Sequence, residues 1–188
     1  GGITVSHLRF GDTPIQSAYL IDAADFVQCS NPSYITRYNM TGDIKENGTF
    51  LFNTSAKSAQ ELEDVLHAFV KRDIANKNIN LYVIDAIKIA AELGLRGRTN
   101  TILQSAFFKV ANIIPYDQAV EYMKKMAYKS FAKKGDAIVQ MNYNAIDRGI
   151  AGAVKVDVPA DWANLDEVKV SKKLTGGREE IRSYIDNV

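Results

Sequence analysis

The chain has 188 residues, 46% of them hydrophobic and 24% charged, which are ordinary values for a soluble globular protein. This composition excludes a disordered chain, a collagen and a coiled-coil rod. Lysine and arginine (23) nearly balance aspartate and glutamate (22), and the formal net charge is +1. We expect no nucleic-acid partner, because binding through phosphates usually needs a basic excess. We expect no membrane partner either, because no apolar run approaches the ~18 residues of a spanning helix.

Four segments of the first half have strand patterns. The first alternates with a period of two and ends at the turn signal Gly11-Asp12. The third is a short apolar run, typical of a buried parallel strand, and Asn47-Gly48 predicts a turn before it. In chain order, these segments are residues 3–10, 24–29, 49–53 and 79–85.

Helix signals separate these strands. Pro32 favours a short helix after the second strand, and Ser58 with Glu61 predicts a capping box. Apolar residues at helical spacing continue that helix through residue 69, and a later helix ends at Gly94. The alternation of strand and helix predicts an α/β fold with a largely parallel sheet between helices.

The second half is predicted to be helical. Thr99 caps one helix, Pro115 begins a second and Gly135 ends it, and a third covers about residues 136–152. We interpret the Gly94–Thr99 segment as a connector between helices. The second helix is predicted to turn an apolar stripe inward, Met126 included. Its lysines predict a solvated face, with a docking surface for an acidic partner as the alternative.

We interpret residues 1–158 as one domain and residues 159–188 as a connector toward a further domain. The connector holds too few apolar residues for a core of its own. Trp162 is the exception, and a large ring in an irregular segment usually anchors that segment on a neighbouring surface.

The chemistry-bearing residues favour binding over catalysis. Cys29 is the only cysteine, which fits a reducing compartment, here the cytoplasm, and is interpreted as a small buried thiol. His7 and Arg9 are placed at the carboxyl end of the first strand, where open α/β sheets bind ligands. A guanidinium fits a phosphate, and an ordinary ion pair is the alternative.

Several motifs of the sequence resemble the pyruvate:ferredoxin (flavodoxin) oxidoreductase family. The first, residues 1–11 (GGITVSHLRFG), is the most specific, and the resemblance extends over about residues 1–164. Further matching motifs include residues 48–53 (GTFLFN), 84–90 (IDAIKIA), 104–109 (QSAFFK), 147–150 (DRGI) and 156–162 (VDVPADW). The resemblance identifies the segment with the gamma domain of that family.

The resemblance implies part of an enzyme that oxidatively decarboxylates pyruvate with CoA to acetyl-CoA and CO2, and reduces ferredoxin or flavodoxin. Thiamine diphosphate, Mg2+ and [4Fe-4S] clusters belong to other domains of the family. No cofactor is therefore expected on this chain, which is not expected to be active alone. The remaining domains of the enzyme are the implied partners, and the full-length chain is expected to form a homodimer.

The resemblance also implies a Rossmann-like three-layer sandwich that handles CoA and here lacks its first βα unit, which carries the glycine-rich phosphate loop. From their strand-end positions we take Ser6, His7 and Arg9 as candidate CoA contacts, with Asn31 and Ser33 as weaker candidates. No catalytic or metal-binding residue is predicted. Two alternatives remain: a non-catalytic scaffold that packs the catalytic domains, and an unrelated stand-alone α/β protein.

Overall fold

A four-stranded sheet forms the centre of the chain in the computed structural model, which describes residues 4–16 and 20–166. Strands β1 (Ala24–Cys29), β2 (Ile44–Asn53) and β3 (Asn80–Ile84) are parallel neighbours. The two-residue β4 (Val154–Lys155) pairs with β3 in the antiparallel direction. The prediction of a mostly parallel sheet is therefore confirmed.

Helices occupy most of the second half, as predicted. In chain order they are α1 (Ala59–Leu62), α2 (Ala68–Asn76), α3 (Ala86–Glu92), α4 (Asn100–Ala111), α5 (Tyr116–Phe131) and α6 (Asp136–Gly152). In the described part of the chain, three short 3-10 helices cover Pro32–Tyr34, Ala132–Lys134 and Ala160–Asn164. No helix within the described ranges combines the length and the apolar character needed to cross a membrane.

The protein has three layers, because successive side chains of a strand point to opposite faces of the sheet and helices cover both faces. Phe50 and Phe52 of β2 point to one face of the sheet and are fully buried with Leu62, Val70 and other residues of the α1–α2 region. Leu51 lies between them in sequence and points to the other face, where residues of α3, α4 and α6 cover it. None of the residues that bury Leu51 comes from α5, which packs instead on α6.

Trp162 joins the first of these layers. It is fully buried in the 3-10 helix Ala160–Asn164, which packs on α2. Its indole N–H donates to Glu63 Oε1, and Glu63 Oε2 lies 2.5 Å from Lys71 Nζ. The expected anchoring role of this ring is confirmed, although the domain boundary at residue 158 stays a prediction.

The predicted strand over residues 3–10 is wrong. The described part, residues 4–10, has no regular secondary structure and pairs with no strand, and its side chains are largely exposed. Alternating polarity makes a strand only when a neighbour satisfies its backbone groups, and β1 has β2 as its neighbour among the described residues.

Asn47 and Gly48 do not precede the strand as predicted but lie inside β2. They form a bulge, because Ala24 of β1 faces Ile44 whereas Phe26 faces Thr49. Asn47 has a φ of 59°, and a Cβ on Gly48 would lie 2.6 Å from Ile44 Cγ2 and 2.9 Å from the Lys45 carbonyl oxygen. These two residues, which usually form turns, therefore produce a bulge within one longer strand.

The predicted helix beginning at Ser58 is divided in two. Its cap is confirmed, since Ser58 Oγ accepts from the Glu61 N–H at 3.2 Å. The break follows Leu62, where the Glu63 carbonyl oxygen accepts from Lys71 Nζ at 3.1 Å instead of from a helical amide. Met126, predicted to point inward from α5, is 59% exposed.

Candidate functional site

A crevice of about 390 Å3 lies at the carboxyl end of the parallel strands. The loop after β1, the end of β2 and the first turns of α3 surround it, because parallel strands deliver their carboxyl ends to one edge of the sheet. Its walls are formed by Pro32, Asn53, Thr54, Ser55, Asp85, Ile87, Lys88 and Ala91.

Asn53 ties the three strand ends together beneath this crevice. It ends β2, and only 1% of its surface is exposed. Its Nδ2 donates to the Ser30 carbonyl oxygen after β1 at 2.8 Å. Its Oδ1 accepts from the Ala86 N–H after β3 at 3.0 Å. One side chain therefore fixes the position of three neighbouring segments around the site.

Local caps shape the rest of the wall. Asp85 Oδ1 accepts from the Lys88 N–H at 2.9 Å and begins α3. Thr54 Oγ1 accepts from the Ala56 N–H at 3.2 Å. The side chains of Ser55 and Lys88 are exposed, and no described residue hydrogen-bonds Ser55 Oγ or Lys88 Nζ. These two side chains are free to contact a ligand.

The chemistry of the crevice is that of a binding site. It offers the ammonium group of Lys88 and the hydroxyls of Thr54 and Ser55, which suit an anionic, hydrogen-bonding ligand. The Asp85 carboxylate also lines the crevice, where one of its oxygens caps α3. Its walls hold no nucleophile paired with a base.

Cys29 ends β1 as a fully buried thiol, as the sequence indicated. Burial raises the pKa of this thiol to about 11. Its S–H donates a hydrogen bond to the Asn31 carbonyl oxygen at a distance of 3.3 Å. A thiol so seldom ionised is a poor nucleophile.

Asn31 and Ser33, the two weaker sequence candidates, lie beside the crevice on either side of Pro32. The Asn31 Oδ1 accepts from the Ser33 N–H at 3.1 Å and from the Ser33 hydroxyl at 3.0 Å. The pair therefore caps the 3-10 helix Pro32–Tyr34. Their strand-end position agrees with the reasoning that selected them.

Ser6, His7 and Arg9 lie in the irregular amino-terminal segment instead. His7 Nδ1 accepts from the Ile21 N–H at 3.1 Å, and Arg9 Nη2 donates to the Leu20 carbonyl oxygen at 3.2 Å. Both partners precede β1, so the argument that placed these side chains at the carboxyl end of a strand was wrong. No hydrogen bond within the described ranges joins them to Asn31 or Ser33.

Sequence reasoning missed Asn53, Thr54, Ser55, Asp85 and Lys88. The signal is present in the sequence, because Asn53, Thr54 and Ser55 stand at the end of the apolar run of β2 and Asp85 directly follows β3. Ligands of open α/β sheets bind at the carboxyl ends of the strands, but residues 4–10 are not a strand and so have no such end. Extending this rule to residues 49–53 and 79–85 would have identified the crevice.

The described residues do not fit a metal or an iron–sulfur cluster. They contain no group of three or more His, Cys, Asp and Glu side chains that could hold a metal ion. The whole chain has one cysteine, whereas a [4Fe-4S] cluster takes four.

Comparisons with known proteins agree with the earlier resemblance. Residues 1–152 match the family described as pyruvate ferredoxin/flavodoxin oxidoreductase. The chain is 52% identical over 164 residues to the pyruvate:ferredoxin oxidoreductase of Moorella thermoacetica, covering 87% of this chain and 14% of that protein. It is 51% identical over 167 residues to the pyruvate-flavodoxin oxidoreductase of Klebsiella pneumoniae, covering 89% of this chain and 14% of that protein. The chain therefore spans about one seventh of the length of these relatives.

A solved structure shares the fold. The pyruvate oxidoreductase subunit PORC from Thermotoga maritima matches with a TM-score of 0.56 and 22% sequence identity. The match covers 71% of this chain and 65% of that subunit. At this identity the likeness shows the fold alone.

Proposed function

Because the chain belongs to the pyruvate ferredoxin/flavodoxin oxidoreductase family, we propose that it forms part of an enzyme that oxidises pyruvate. Pyruvate and CoA give acetyl-CoA and CO2, and two electrons pass to ferredoxin or flavodoxin. The observation that carries this proposal is the 52% identity, over 87% of the chain, to a pyruvate:ferredoxin oxidoreductase. Anaerobic reduction of a low-potential dye by the native polypeptide, dependent on both pyruvate and CoA, tests it.

The proposal places the redox chemistry in other domains. Thiamine diphosphate with Mg2+ and the [4Fe-4S] clusters are assigned there. In support, one cysteine cannot ligate a cluster, and the described residues contain no group of three or more metal-binding side chains. We assign no chemical step to this chain. Its partners are the remaining domains of the same enzyme, which works in the cytoplasm as a homodimer of the full-length polypeptide.

We assign CoA handling to this segment. The ligand is polyanionic and rich in hydrogen-bonding groups, and the crevice presents Lys88 with the hydroxyls of Thr54 and Ser55. The rigid frame made by Asn53 supports this assignment, because a preorganised site loses less free energy on binding. Asn31 and Ser33 remain candidates at the same edge, and Ser6, His7 and Arg9 remain candidates from the amino-terminal segment.

The substitution Lys88→Met tests the crevice in the full-length polypeptide. Losing one charge-assisted hydrogen bond to phosphate, ~1.5–3 kcal/mol, raises the KM for CoA by roughly 10-fold to 100-fold. The KM for pyruvate stays the same. Lys57→Met, at an exposed lysine outside the crevice wall, is the matched control. An unchanged KM for CoA in the Lys88 variant removes CoA handling from this crevice.

Arg9→Ala and Asn31→Ala test the remaining candidates in the same assay. A CoA contact at either position raises the KM for CoA, whereas a residue that only supports its own loop leaves the KM unchanged. Arg9 is dropped as a candidate if its variant responds to CoA like the wild type.

A non-catalytic scaffold is the second candidate function. It is favoured by the hydrogen bonds of Asn53, Asp85 and Asn31, all of which hold the local backbone. A scaffold predicts that crevice substitutions lower stability or assembly and leave the response to CoA unchanged. The Lys88→Met assay therefore separates the two functions.

A further inference from the structure

A second concave surface lies among the helices of the second half, away from the crevice. Helix α6 forms its floor and α4 and α5 form its walls, enclosing about 350 Å3. We call it the helical groove. Its lining shares no residue with the wall of the crevice.

The α5 wall of the helical groove is apolar, and two of its large side chains are exposed. Ala119, Tyr122, Met123, Met126 and Ala127 line it at the spacing of one helix face. Tyr122 is 56% exposed and Met126 is 59% exposed. Adjacent large apolar side chains left in water are typical of a surface that another element covers.

The floor of the groove carries one amide side chain. Asn142 is only 7% exposed and lines the groove. Its Nδ2 donates to the Ile138 carbonyl oxygen at 2.8 Å, so its own helix holds this side chain in place. Among the described residues, no buried side-chain nitrogen or oxygen lacks a hydrogen-bond partner, so the apolar wall and the nearby charges, and not this amide, would recognise an occupant.

The rim of the groove is basic. Lys125 and Lys129 follow Tyr122 by one and two turns of α5, and neither lies within ion-pair distance of a described carboxylate. Lys124, on the side of α5 that faces α6, is paired with Asp147 at 2.8 Å. On α5, the two lysines that pair with no described carboxylate, Lys125 and Lys129, are therefore the ones beside the exposed side chains of Tyr122 and Met126.

We propose that the helical groove holds an amphipathic α-helix from another domain of the same full-length polypeptide. Its apolar stripe packs on Tyr122 and Met126, and carboxylates along its edge pair with Lys125 and Lys129. Burial of an apolar helix face in such a groove is a common recognition mode, and the charges set its orientation. The proposal rests on the proposed function, in which this chain is one part of a longer enzyme; the relatives extend well beyond the matched 14%.

Site-specific cross-linking in the full-length polypeptide tests the occupant. Tyr122 is replaced by the photoreactive p-benzoylphenylalanine, and the products are mapped by mass spectrometry after irradiation. The expected product joins residue 122 to a helical, acid-rich segment elsewhere in the same polypeptide. Tyr128, which is 55% exposed on α5 and does not line the groove, is the matched control and gives no such product.

Charge reversal supplies the second arm. Lys125→Glu with Lys129→Glu lowers the cross-link yield at least several-fold, whereas Lys57→Glu with Lys155→Glu, at exposed lysines outside the groove, does not. A cross-link from position 122 to a separate protein or to a second copy overturns the proposal. So does a yield no greater than that from position 128, or one unaffected by charge reversal.

The pyruvate assay on the same preparation keeps the two proposals apart. CoA-dependent oxidation without the expected cross-link overturns the helical groove alone. The expected cross-link in a polypeptide that does not oxidise pyruvate overturns the proposed function and upholds the occupant of the groove.

Discussion

Asn53 shows how one polar side chain can organise a site through hydrogen bonds to the backbone. Its two hydrogen bonds reach the segments after β1 and β3, and both partners are backbone groups. Such groups must be satisfied when they are removed from water. The residue therefore holds the three strand ends at a fixed spacing, and this spacing determines the shape of the crevice.

Replacing Asn53 by Ala is expected to destabilise the fold. The substitution leaves the Ala86 N–H and the Ser30 carbonyl without their partner, at a cost of about 1–3 kcal/mol for a buried polar group. Urea unfolding measures the loss. Ser55→Ala is the control, since its hydroxyl makes no hydrogen bond to a described residue. Equal unfolding free energies for the two variants contradict the bridging role.

At the scale of the elements, the motif at 147–150 connects α6 to three other helices. Asp147 pairs with Lys124 of α5, and Arg148 pairs with Glu92 of α3. Gly149 lies against α4, where an added Cβ would be 2.0 Å from Ser105 Oγ and 2.3 Å from the Ile102 carbonyl oxygen. This motif, which resembles a motif of the family, therefore helps to pack α6 against α3, α4 and α5.

Gly149→Ala is expected to be strongly destabilising. The new methyl group meets backbone atoms that cannot rotate away, so α4 and α6 must separate, at a cost of roughly 1–3 kcal/mol or more. Ala151→Gly, at an exposed position of the same helix, costs only about 1 kcal/mol. Thermal unfolding compares the two variants. A Gly149 variant as stable as the Ala151 variant would show that the helices tolerate the separation.

The contacts of Glu63 give the stability a dependence on pH. Lys71, and then the Trp162 indole, stabilise the carboxylate and lower the pKa of Glu63 below its ordinary value of 4.5. A carboxyl with a lowered folded pKa contributes stability above its unfolded pKa and loses it as the pH falls through the folded pKa. The stability advantage of the wild type over Glu63→Gln should therefore be present at pH 6 and shrink below pH 4.5. Urea unfolding at pH 6 and at pH 3.5 measures both differences, and an advantage that does not change with pH contradicts this role.

For the whole molecule, the sequence predicted elements better than it predicted their junctions. Residues 24–29 and 49–53 were recognised because β-branched and aromatic residues favour buried strands. The sequence did not predict the bulge at Asn47-Gly48, because it depends on the pairing of β2 with β1. It did not predict the break after Leu62 either, because the Lys71 side chain takes the Glu63 carbonyl oxygen, which helical periodicity does not indicate. The sequence did not predict the residues of the crevice wall and named only Asn31 and Ser33 beside it, because the order of the strands decides which loops meet.

Truncation is expected to show that the folded unit extends beyond residue 158. Trp162 and Val156 belong to the same hydrophobic core as Phe50 and Phe52 of β2 and the buried residues of α2. A chain ending at residue 158 loses the Trp162 side chain, whose removal from a core costs about 3–5 kcal/mol. A chain ending at residue 166 keeps it. Equal melting temperatures for the two truncated chains would place the edge of the folded unit at residue 158, as the sequence suggested.

The pairing of β4 with β3 also bears on the order in which the chain folds. Val154 meets Val83 only after four intervening helices have been made, so their contact closes a long loop. Contacts of such sequence separation slow folding because the entropy of closure is lost before they form. On a ribosome, the sheet would stay open at β3 until Val154 and Lys155 had left the exit tunnel. Until then its unpaired edge would be a place for a chaperone to bind.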